Sequence, residues 1–378
     1  MPPRLSPLFI FLAAYALSAG LPVRAAEKVS FNRDIRPIFS DTCFQCHGPD
    51  EAKRKSGVRF DVRESAVSRA EKSGDVPIVP GKPEASEVMN RLTSTDPDEL
   101  MPPAKLHKNL TPQQIETVRR WIADGAEYEG HWAFIKPDRM EPPVATANAI
   151  DGFILKKLAD QGLRASPEAS KETLIRRVTL DLTGLPPTSE EVDVFQKDDA
   201  ADAYERVVDR LLASPRYGEQ MAARWLDLAR YADSNGFQTD SSRQMWPWRN
   251  WVIEAFNENK AFDQFTIEQL AGDLLPNPTR DQLVATGFNR NHRLNGEGGR
   301  IVEEWFAETV IDRVETTGLT WMALTFNCCR CHDHKYDPIS QKEYYQLFAY
   351  FNNIKEYGLV LTSDIVPTPS LLLPNPAQ

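Results

Sequence analysis

The sequence contains the spacing C-x-x-C-H twice, at residues 43–47 and at residues 328–332. Together the two copies use four of the five cysteines and two of the six histidines. This spacing is the attachment signature of c-type haem, because two thiols on one helical turn can reach both vinyl groups of a porphyrin, and the next residue directs its imidazole at the iron. The motifs therefore predict two haem c groups, held by Cys43, Cys46 and His47 and by Cys328, Cys331 and His332.

A structural zinc site or a disulfide is the alternative for a C-x-x-C pair. Near Cys43 nothing supplies the second ligand pair that a four-coordinate zinc site needs, so haem is favoured there. The second motif leaves the alternative open, because thiolates and imidazoles crowd together and suit zinc or copper. The side chains concerned are Cys328, Cys329, Cys331, His332 and His334. With haem bound, Cys329 is left over as a free thiol.

An iron held by His47 needs a group on its other face. We favour Met101, in Leu-Met-Pro-Pro-Ala, because the prolines fix an extended loop that holds a thioether with little loss of entropy. Met89, on an apolar helical face, and His107, between two lysines, are the rivals. Ligation by His and Met would give a relatively high reduction potential. The sixth ligand of the second iron stays unassigned: the candidates are His292, Met245, Met322 and water, and a vacant position is the remaining alternative.

The N-terminus has the features of an export signal. Arg4 gives positive charge, residues 8–17 form an apolar core, and small residues near 23–26 offer a cleavage site. Residues 1–26 are therefore predicted to be a signal peptide, and the mature chain is predicted to be periplasmic or secreted. No later stretch looks transmembrane. The net charge of −10 argues against binding to nucleic acid. For an exported haem protein we expect redox proteins of the cell envelope as partners.

Helical periodicity predicts a mainly α fold with two domains. Residues 27–143 are predicted to form a cytochrome c-like helical domain, with helices at 30–40, at 84–92 and from Thr111, where Gln114 completes a capping box. Residues 149–357 are predicted to form a larger all-helical domain, and residues 358–378 a C-terminal tail. The predicted helices of the larger domain are 149–162, 171–182, 189–196, 201–213, 218–233, 246–259, 262–274, 281–289 and 302–323.

The polar groups of the larger domain support a rival interpretation. The chain would then be a redox or metal-dependent enzyme acting on an extracellular polymer such as a polysaccharide, with an open metal at Cys331, His332 and His334. Its carboxylates would come from Glu303, Glu304, Asp333 or Asp337, although acidic residues in a first helical turn also simply complement the helix dipole. A third possibility is that the tryptophan-rich helices bind a glycan or a separate partner chain.

These motifs resemble those of the planctomycete-type cytochrome c proteins. The N-terminal match includes FNRDIRPIFSDTCFQCHGPD, LMPPA and TPQQIETVRRWIADGA, and the following region, which includes RYGEQMAARWLDLARYADSNGFQTD and CCRCHDHKYDP, resembles the DUF1549 domain. The resemblance implies that Cys43, Cys46 and His47 bind haem, that Met101 occupies the Met-Pro-Pro position, and that Cys328, Cys331 and His332 stand at the second motif. The family usually continues with a further large domain, so we expect a fragment or a shortened member. The resemblance implies no established substrate.

Overall fold

The computed structural model describes residues 28–51, 53–70, 73–238, 240–356 and 369–374. Across these ranges the chain forms 15 α-helices and no β-strand, with one isolated antiparallel bridge between Ser234 and Ser242. The predicted mainly α fold is confirmed. None of the helices in these ranges has the length and apolar character needed to cross a membrane. The predicted signal peptide and most of the predicted C-terminal tail lie outside the described residues.

The chain divides into two compact units. One, which we call the N-terminal unit, comprises Met1–Gly48 and Ala52–Ile135, and the other, the C-terminal unit, comprises Pro49–Glu51 and Lys136–Gln378. The main break therefore follows Ile135, a few residues before the end that the sequence suggested for the first domain.

The N-terminal unit contains five short α-helices. They are α1 (Arg36–Thr42), α2 (Phe44–His47), α3 (Arg63–Ala66), α4 (Glu87–Thr93) and α5 (Pro112–Ala123), and a single π-helical turn, Phe31–Ile35, precedes α1. The capping box predicted for α5 is present: the Thr111 side chain accepts a hydrogen bond from the Gln114 backbone N–H at 3.2 Å, and the Gln114 side chain accepts one from the Thr111 N–H at 2.8 Å.

Aromatic side chains fill the core of the N-terminal unit. Trp121 on α5 is only 1% exposed, and its ring contacts Phe39 on α1 edge to face with centroids 5.9 Å apart. Phe31 packs on Tyr128 with centroids 4.3 Å apart. The Trp121 indole N–H donates to the carbonyl of Glu127 at 3.0 Å, so the one polar atom of this large side chain is satisfied. This core places α1, and therefore the first C-x-x-C-H motif, against α5.

The C-terminal unit contains the remaining ten helices. They are α6 (Ala149–Asp160), α7 (Lys171–Thr183), α8 (Ser189–Lys197), α9 (Ala203–Leu212), α10 (Pro215–Leu228), α11 (Trp246–Asn257), α12 (Phe262–Ala271), α13 (Arg280–Ala285), α14 (Val302–Met322) and α15 (Gln341–Phe351). Local sequence sets many of their ends. Capping boxes begin α8, α13 and α15, and Gly184 closes α7 in the left-handed conformation with φ of 70°.

Close packing of α10 on α11 forms the centre of this unit. A Cβ at Gly218 would overlap the carbonyl oxygen of Ile253, so only glycine permits this approach of the two helices. The Gly218 N–H donates to the Asn257 side chain at 2.8 Å. Trp248 and Trp251 are buried here, whereas Trp246 is 49% exposed.

The structure differs from the predicted helices in four places. The segment predicted as one helix at 30–40 begins with the π-helical turn, and the helix predicted at 218–233 begins earlier, at Pro215, because Ser214 caps it. Helix α15 was not predicted, although Ser340 and Glu343 form the sequence signature of a capping box. The predicted helix 281–289 ends as a 3₁₀ turn, Thr286–Arg290.

Candidate functional site

The first C-x-x-C-H motif folds as a single helical turn: Cys43 separates α1 from α2, and the other four residues form α2. The carbonyl oxygen of Cys43 accepts hydrogen bonds from the backbone N–H groups of Cys46, at 3.0 Å, and His47, at 2.8 Å. The chain that follows folds back on this turn, because the Lys55 N–H donates to the Cys46 carbonyl and the Phe60 N–H to the His47 carbonyl, each at 2.8 Å. These bonds hold both thiols and the imidazole on one short segment.

Both thiols, the imidazole and the Met101 thioether line a single cleft with an empty volume of about 1170 Å³. Most of its wall is apolar: Val58, Phe60, Ala70, Pro77, Val88, Leu92, Pro102, Pro103 and Leu106. Its polar lining consists of Thr42, Lys55, Ser56, Ser73, Asp75, Glu87 and Arg91. An apolar cleft with a few polar groups is the usual environment of a bound organic cofactor.

The imidazole of His47 is set up as a neutral ligand. Burial lowers its pKa below the ordinary value of 6.5, against a smaller opposing effect of the backbone carbonyl groups of Val58 and Lys55. Its Nδ1 is buried without a hydrogen-bond partner among the described residues. The ring of Phe60 meets the imidazole edge to face at 5.5 Å. A buried, neutral imidazole is the form that coordinates iron.

The Met101 loop is tied to the end of α4. The Met101 N–H donates to the Arg91 carbonyl at 3.0 Å, and the Arg91 side chain donates to Glu87 at 2.6 Å. Neither rival ligand lines the cleft: Met89 is 2% exposed and belongs to the aromatic core, and His107 is exposed on a turn with φ of 52°. Met101 is therefore the candidate that shares the cleft with His47.

The two thiols of the first motif are free and partly buried. Burial raises the pKa of the Cys43 thiol to about 11, and the Thr42 hydroxyl lies 3.3 Å from its sulfur. Cys43 is therefore a protonated thiol near neutral pH. The donor set of two thiols, a neutral imidazole and a thioether around one apolar cleft fits haem c.

The second C-x-x-C-H motif has the same local turn. The Cys328 carbonyl accepts hydrogen bonds from the N–H groups of Cys331 and His332, both at 3.3 Å. Its surroundings differ, because Cys328, Cys331 and His332 are all exposed. A polar cavity of the C-terminal unit is lined by the adjacent Asn327 and Arg330 but by none of these three side chains. The turn therefore presents its thiols and imidazole at the surface.

The other possible metal ligands of this region, Cys329 and His334, are buried among neighbouring residues. Cys329 is fully buried, with its sulfur 3.5 Å from the Ile339 carbonyl oxygen. His334 is 5% exposed, and its Nδ1 accepts hydrogen bonds from the N–H groups of Asp337, at 2.9 Å, and Tyr336, at 3.3 Å. Across the described part of the chain, no three or more His, Cys, Asp or Glu side chains are grouped so that they could hold a metal ion. The alternative of zinc or copper at this motif thus has no ligand cluster to support it.

The three candidates for a sixth ligand at the second motif lie in other surroundings. The Nε2 of His292 lies 3.1 Å from Glu356, and its Nδ1 lies 3.0 Å from the Arg293 carbonyl oxygen. Met245 packs on the core around α11, and Met322 is 44% exposed at the end of α14. The imidazole of His292 is thus already engaged within the C-terminal unit.

The carboxylates of the rival enzyme interpretation are dispersed too. Glu303 and Glu304 are exposed in the first turn of α14. Asp333 accepts a hydrogen bond from the Gln341 N–H at 2.8 Å, next to the start of α15. Asp337 lies 3.3 Å from His334. Two of these side chains, Asp333 and Asp337, therefore contact residues that organise the turn after the second motif.

Two family models match the chain. The model described as a protein of unknown function, DUF1549, matches residues 149–356, more than half of the chain. The chain belongs to the DUF1549 family. The model described as Planctomycete cytochrome C matches residues 43–105, a stretch that begins at Cys43 and includes Met101. This DUF1549 protein therefore carries a cytochrome c domain before its family domain, as its motifs indicated. The comparisons with curated proteins and with solved structures gave no match.

Sequence reasoning missed the walls of the first cleft. Its lining comes from residues spread between Thr42 and Leu106, and no local pattern marks Ala70, Pro77 or Val88 as wall positions. It also missed the polar cavity of the C-terminal unit, although Glu308, Asp312 and Glu315 recur at the spacing of one helical face. That spacing was the available signal.

Proposed function

We propose that this DUF1549 protein is an exported c-type cytochrome that carries single electrons, with haem c in the cleft of the N-terminal unit. The observation that supports this most directly is the meeting of Cys43, Cys46, His47 and Met101 around one apolar cleft. Met101 reaches that cleft from beyond α3 and α4, so the motif by itself does not account for the arrangement. The matching cytochrome c family model points to the same cofactor.

In this proposal Cys43 and Cys46 attach the cofactor. Each S–H adds across one vinyl C=C: the sulfur bonds to one carbon and the thiol hydrogen passes to the other, so atoms balance and no oxidant is consumed. The raised pKa of Cys43 keeps that hydrogen on the thiol near neutral pH. His47 and Met101 are the proposed iron ligands, and the haem supplies a one-electron couple when bound.

The surroundings of the cleft would set the potential. A thioether ligand raises the potential relative to a second imidazole, and apolar walls such as Val58, Phe60 and Leu92 keep water from the buried face. Among the charged groups of the lining, Lys55 and Arg91 are offset by Asp75 and Glu87, and Arg91 pairs with Glu87. The thioether and the apolar walls therefore carry the argument, and both favour the reduced state of a relatively high-potential electron carrier.

A second haem at Cys328, Cys331 and His332 extends the proposal. Its support is the motif and the matching pattern of backbone hydrogen bonds at the two turns. The exposure of the three side chains gives it no cleft comparable to the first. The second haem therefore stays a prediction, and the haem count per chain tests it separately from the first.

Export is proposed because the N-terminal signal features agree with the compartment in which haem c is attached. The partners would be redox proteins of the cell envelope. The rival proposal, an enzyme acting on an extracellular polymer through an open metal centre, has no grouped set of metal ligands among the described residues to support it.

The test is to express the full chain with a haem-maturation system, purify the exported form, and measure haem by pyridine haemochrome assay and peptide mass spectrometry. We expect covalent haem on the peptide that contains Cys43 and Cys46. Unmodified thiols on that peptide would end the cytochrome proposal. One haem per chain would limit attachment to the first motif, and carbon monoxide binding to a second, high-spin haem would favour the enzyme.

A further inference from the structure

A polar cavity in the C-terminal unit, lined by Arg330 of the second C-x-x-C-H motif but by none of the motif's thiols or its imidazole, has the features of a binding site. Its empty volume is about 760 Å³. Its charged lining groups are Arg230, Arg293, Arg330, Glu308, Asp312 and Glu315. These polar groups converge on one concave site, and the haem proposal gives that site no role.

One face of α14 supplies the acidic side of this cavity. Glu308, Asp312 and Glu315 lie one helical turn apart from each other along that face. Two of the three are neutralised: Arg230 makes a bidentate pair with Asp312 at 2.5 and 2.6 Å, and Arg330 makes a bidentate pair with Glu308.

Glu315 is the carboxyl group left over. It has no hydrogen bond or ion pair within the described ranges, and burial together with the charge of Asp312 raises its pKa. The oxygens of a carboxyl group accept hydrogen bonds. Glu315 therefore offers hydrogen-bonding oxygens, with no partner among the described residues, to the hydroxyl groups of a ligand.

Arg293 is the cation left over. Its guanidinium lies between the rings of Phe237 and Trp305, 5.1 and 5.2 Å from their centroids. These two rings hold it in place, and within the described part of the chain no carboxylate pairs with it. An exposed arginine fixed by two aromatic rings and not paired with an acid is arranged to receive an anion.

Thr309 points to a ligand independently of charge. This residue lines the cavity and is 3% exposed, yet its hydroxyl is buried without a hydrogen-bond partner among the described residues. Leaving a buried hydroxyl without a hydrogen-bond partner is unfavourable, and a ligand or water commonly satisfies such a group.

We infer that this cavity binds a small polyhydroxylated carboxylic acid, of the sugar-acid class, with its carboxylate on Arg293 and its hydroxyls on Thr309 and Glu315. The two unpaired groups match such a ligand: Arg293 is a lining arginine and Glu315 a lining carboxyl group, and neither forms an ion pair or hydrogen bond with another side chain among the described residues.

The test is isothermal titration of the full chain with glucuronate, with glucose and acetate as the probes that lack the acid or the hydroxyls. We expect glucuronate to bind at least about tenfold more tightly than either control, a difference in Kd equivalent to about 1.4 kcal/mol. Equal binding of glucose, equal binding of acetate, or no binding of glucuronate would each overturn the proposal.

Two variants separate recognition from folding. Arg293→Ala removes the proposed carboxylate contact and is expected to weaken glucuronate binding at least about tenfold, whereas Arg164→Ala, at an exposed position outside the cavity, leaves it unchanged. Thr309→Val keeps the shape but removes the hydroxyl, so we expect weaker binding with an unchanged or higher melting temperature, because no protein hydrogen bond is lost. Unchanged affinity in both cavity variants would refute the assignment. The haem spectrum is a separate readout and stays the same in all three variants.

Discussion

The two C-x-x-C-H turns of this protein have the same backbone hydrogen bonds and very different neighbours. At the first, Cys43, Cys46 and His47 line an apolar cleft that Met101 completes from a distant loop. At the second, Cys328, Cys331 and His332 stand at the surface, and the buried side chains nearby are Cys329 and His334. The contrast separates two requirements for holding haem: thiols in the right register, and a cavity that receives the porphyrin.

A local turn can recur wherever its sequence recurs, because its hydrogen bonds lie within five residues. A cleft needs walls from several elements, and only the N-terminal unit supplies them around the motif. The second motif instead lies beside a polar cavity that is lined by its Arg330 and by the neighbouring Asn327 but by no thiol. The two copies of one signature are therefore expected to differ in what they do.

The largest effect that would test this comparison is on haem attachment. The pair of changes Cys43→Ala and Cys46→Ala should abolish covalent haem at the N-terminal unit, because no thioether can form there. The matched pair Cys328→Ala and Cys331→Ala should leave that haem in place, measured by haemochrome assay and by mass spectrometry of the peptides. If the second pair alone removed all covalent haem, the distinction between the two regions would be wrong.

The next effect concerns the far side of the cleft. Met101→Leu should remove the proposed thioether ligand, lower the reduction potential by on the order of 100 mV, and let the iron bind carbon monoxide. Met89→Leu is the matched control, since Met89 packs in the core and does not line the cleft. Redox titration of both variants checks this. Equal potentials for wild type and Met101→Leu would show that another group faces His47.

A smaller effect distinguishes the buried Cys329 from the exposed Cys328 in the second motif. Cys329→Ser places a hydroxyl in a fully buried position and should destabilise the C-terminal unit by about 1–3 kcal/mol. Cys328→Ser, at an exposed position, should leave the free energy of unfolding nearly unchanged. Urea unfolding followed by circular dichroism measures both. A larger loss of stability in Cys328→Ser than in Cys329→Ser would mean that the buried and exposed thiols are assigned wrongly.

The smallest effect is the pH dependence that His47 gives to the haem-free chain. Because burial lowers its pKa below 6.5, the folded chain binds fewer protons than the unfolded chain as the pH falls through that value. The stability that depends on a neutral His47 is fully present above about pH 6.5 and is lost as the pH falls through the pKa that His47 has in the folded chain. The free energy of unfolding should therefore decrease more between about pH 7 and about pH 5 in the wild type than in His47→Gln. If the free energy of unfolding depended on pH in the same way in the wild type and in His47→Gln, the prediction would be wrong.

Much of the fold was predictable because its signals are local. Thr111 with Gln114 marked the start of α5, and the same signature at Ser340 and Glu343, which was overlooked, marks α15. The π-helical turn before α1 was not predictable, since the periodicity of residues 30–40 also fits an ordinary helix. Helix ends such as that of α13, where a 3₁₀ turn follows, depend on neighbouring elements rather than on the segment alone.

The sequence by itself determined the mainly helical fold, the two attachment turns and the candidacy of Met101, because capping, periodicity and motif spacing act over a few residues. Only the tertiary structure decided that Met101 rather than Met89 or His107 shares a cleft with His47, and that the second turn is exposed. It also brought Arg293, Thr309 and Glu315 to one polar cavity. These outcomes depend on which distant side chains pack together, and packing between distant elements leaves no local pattern in the chain.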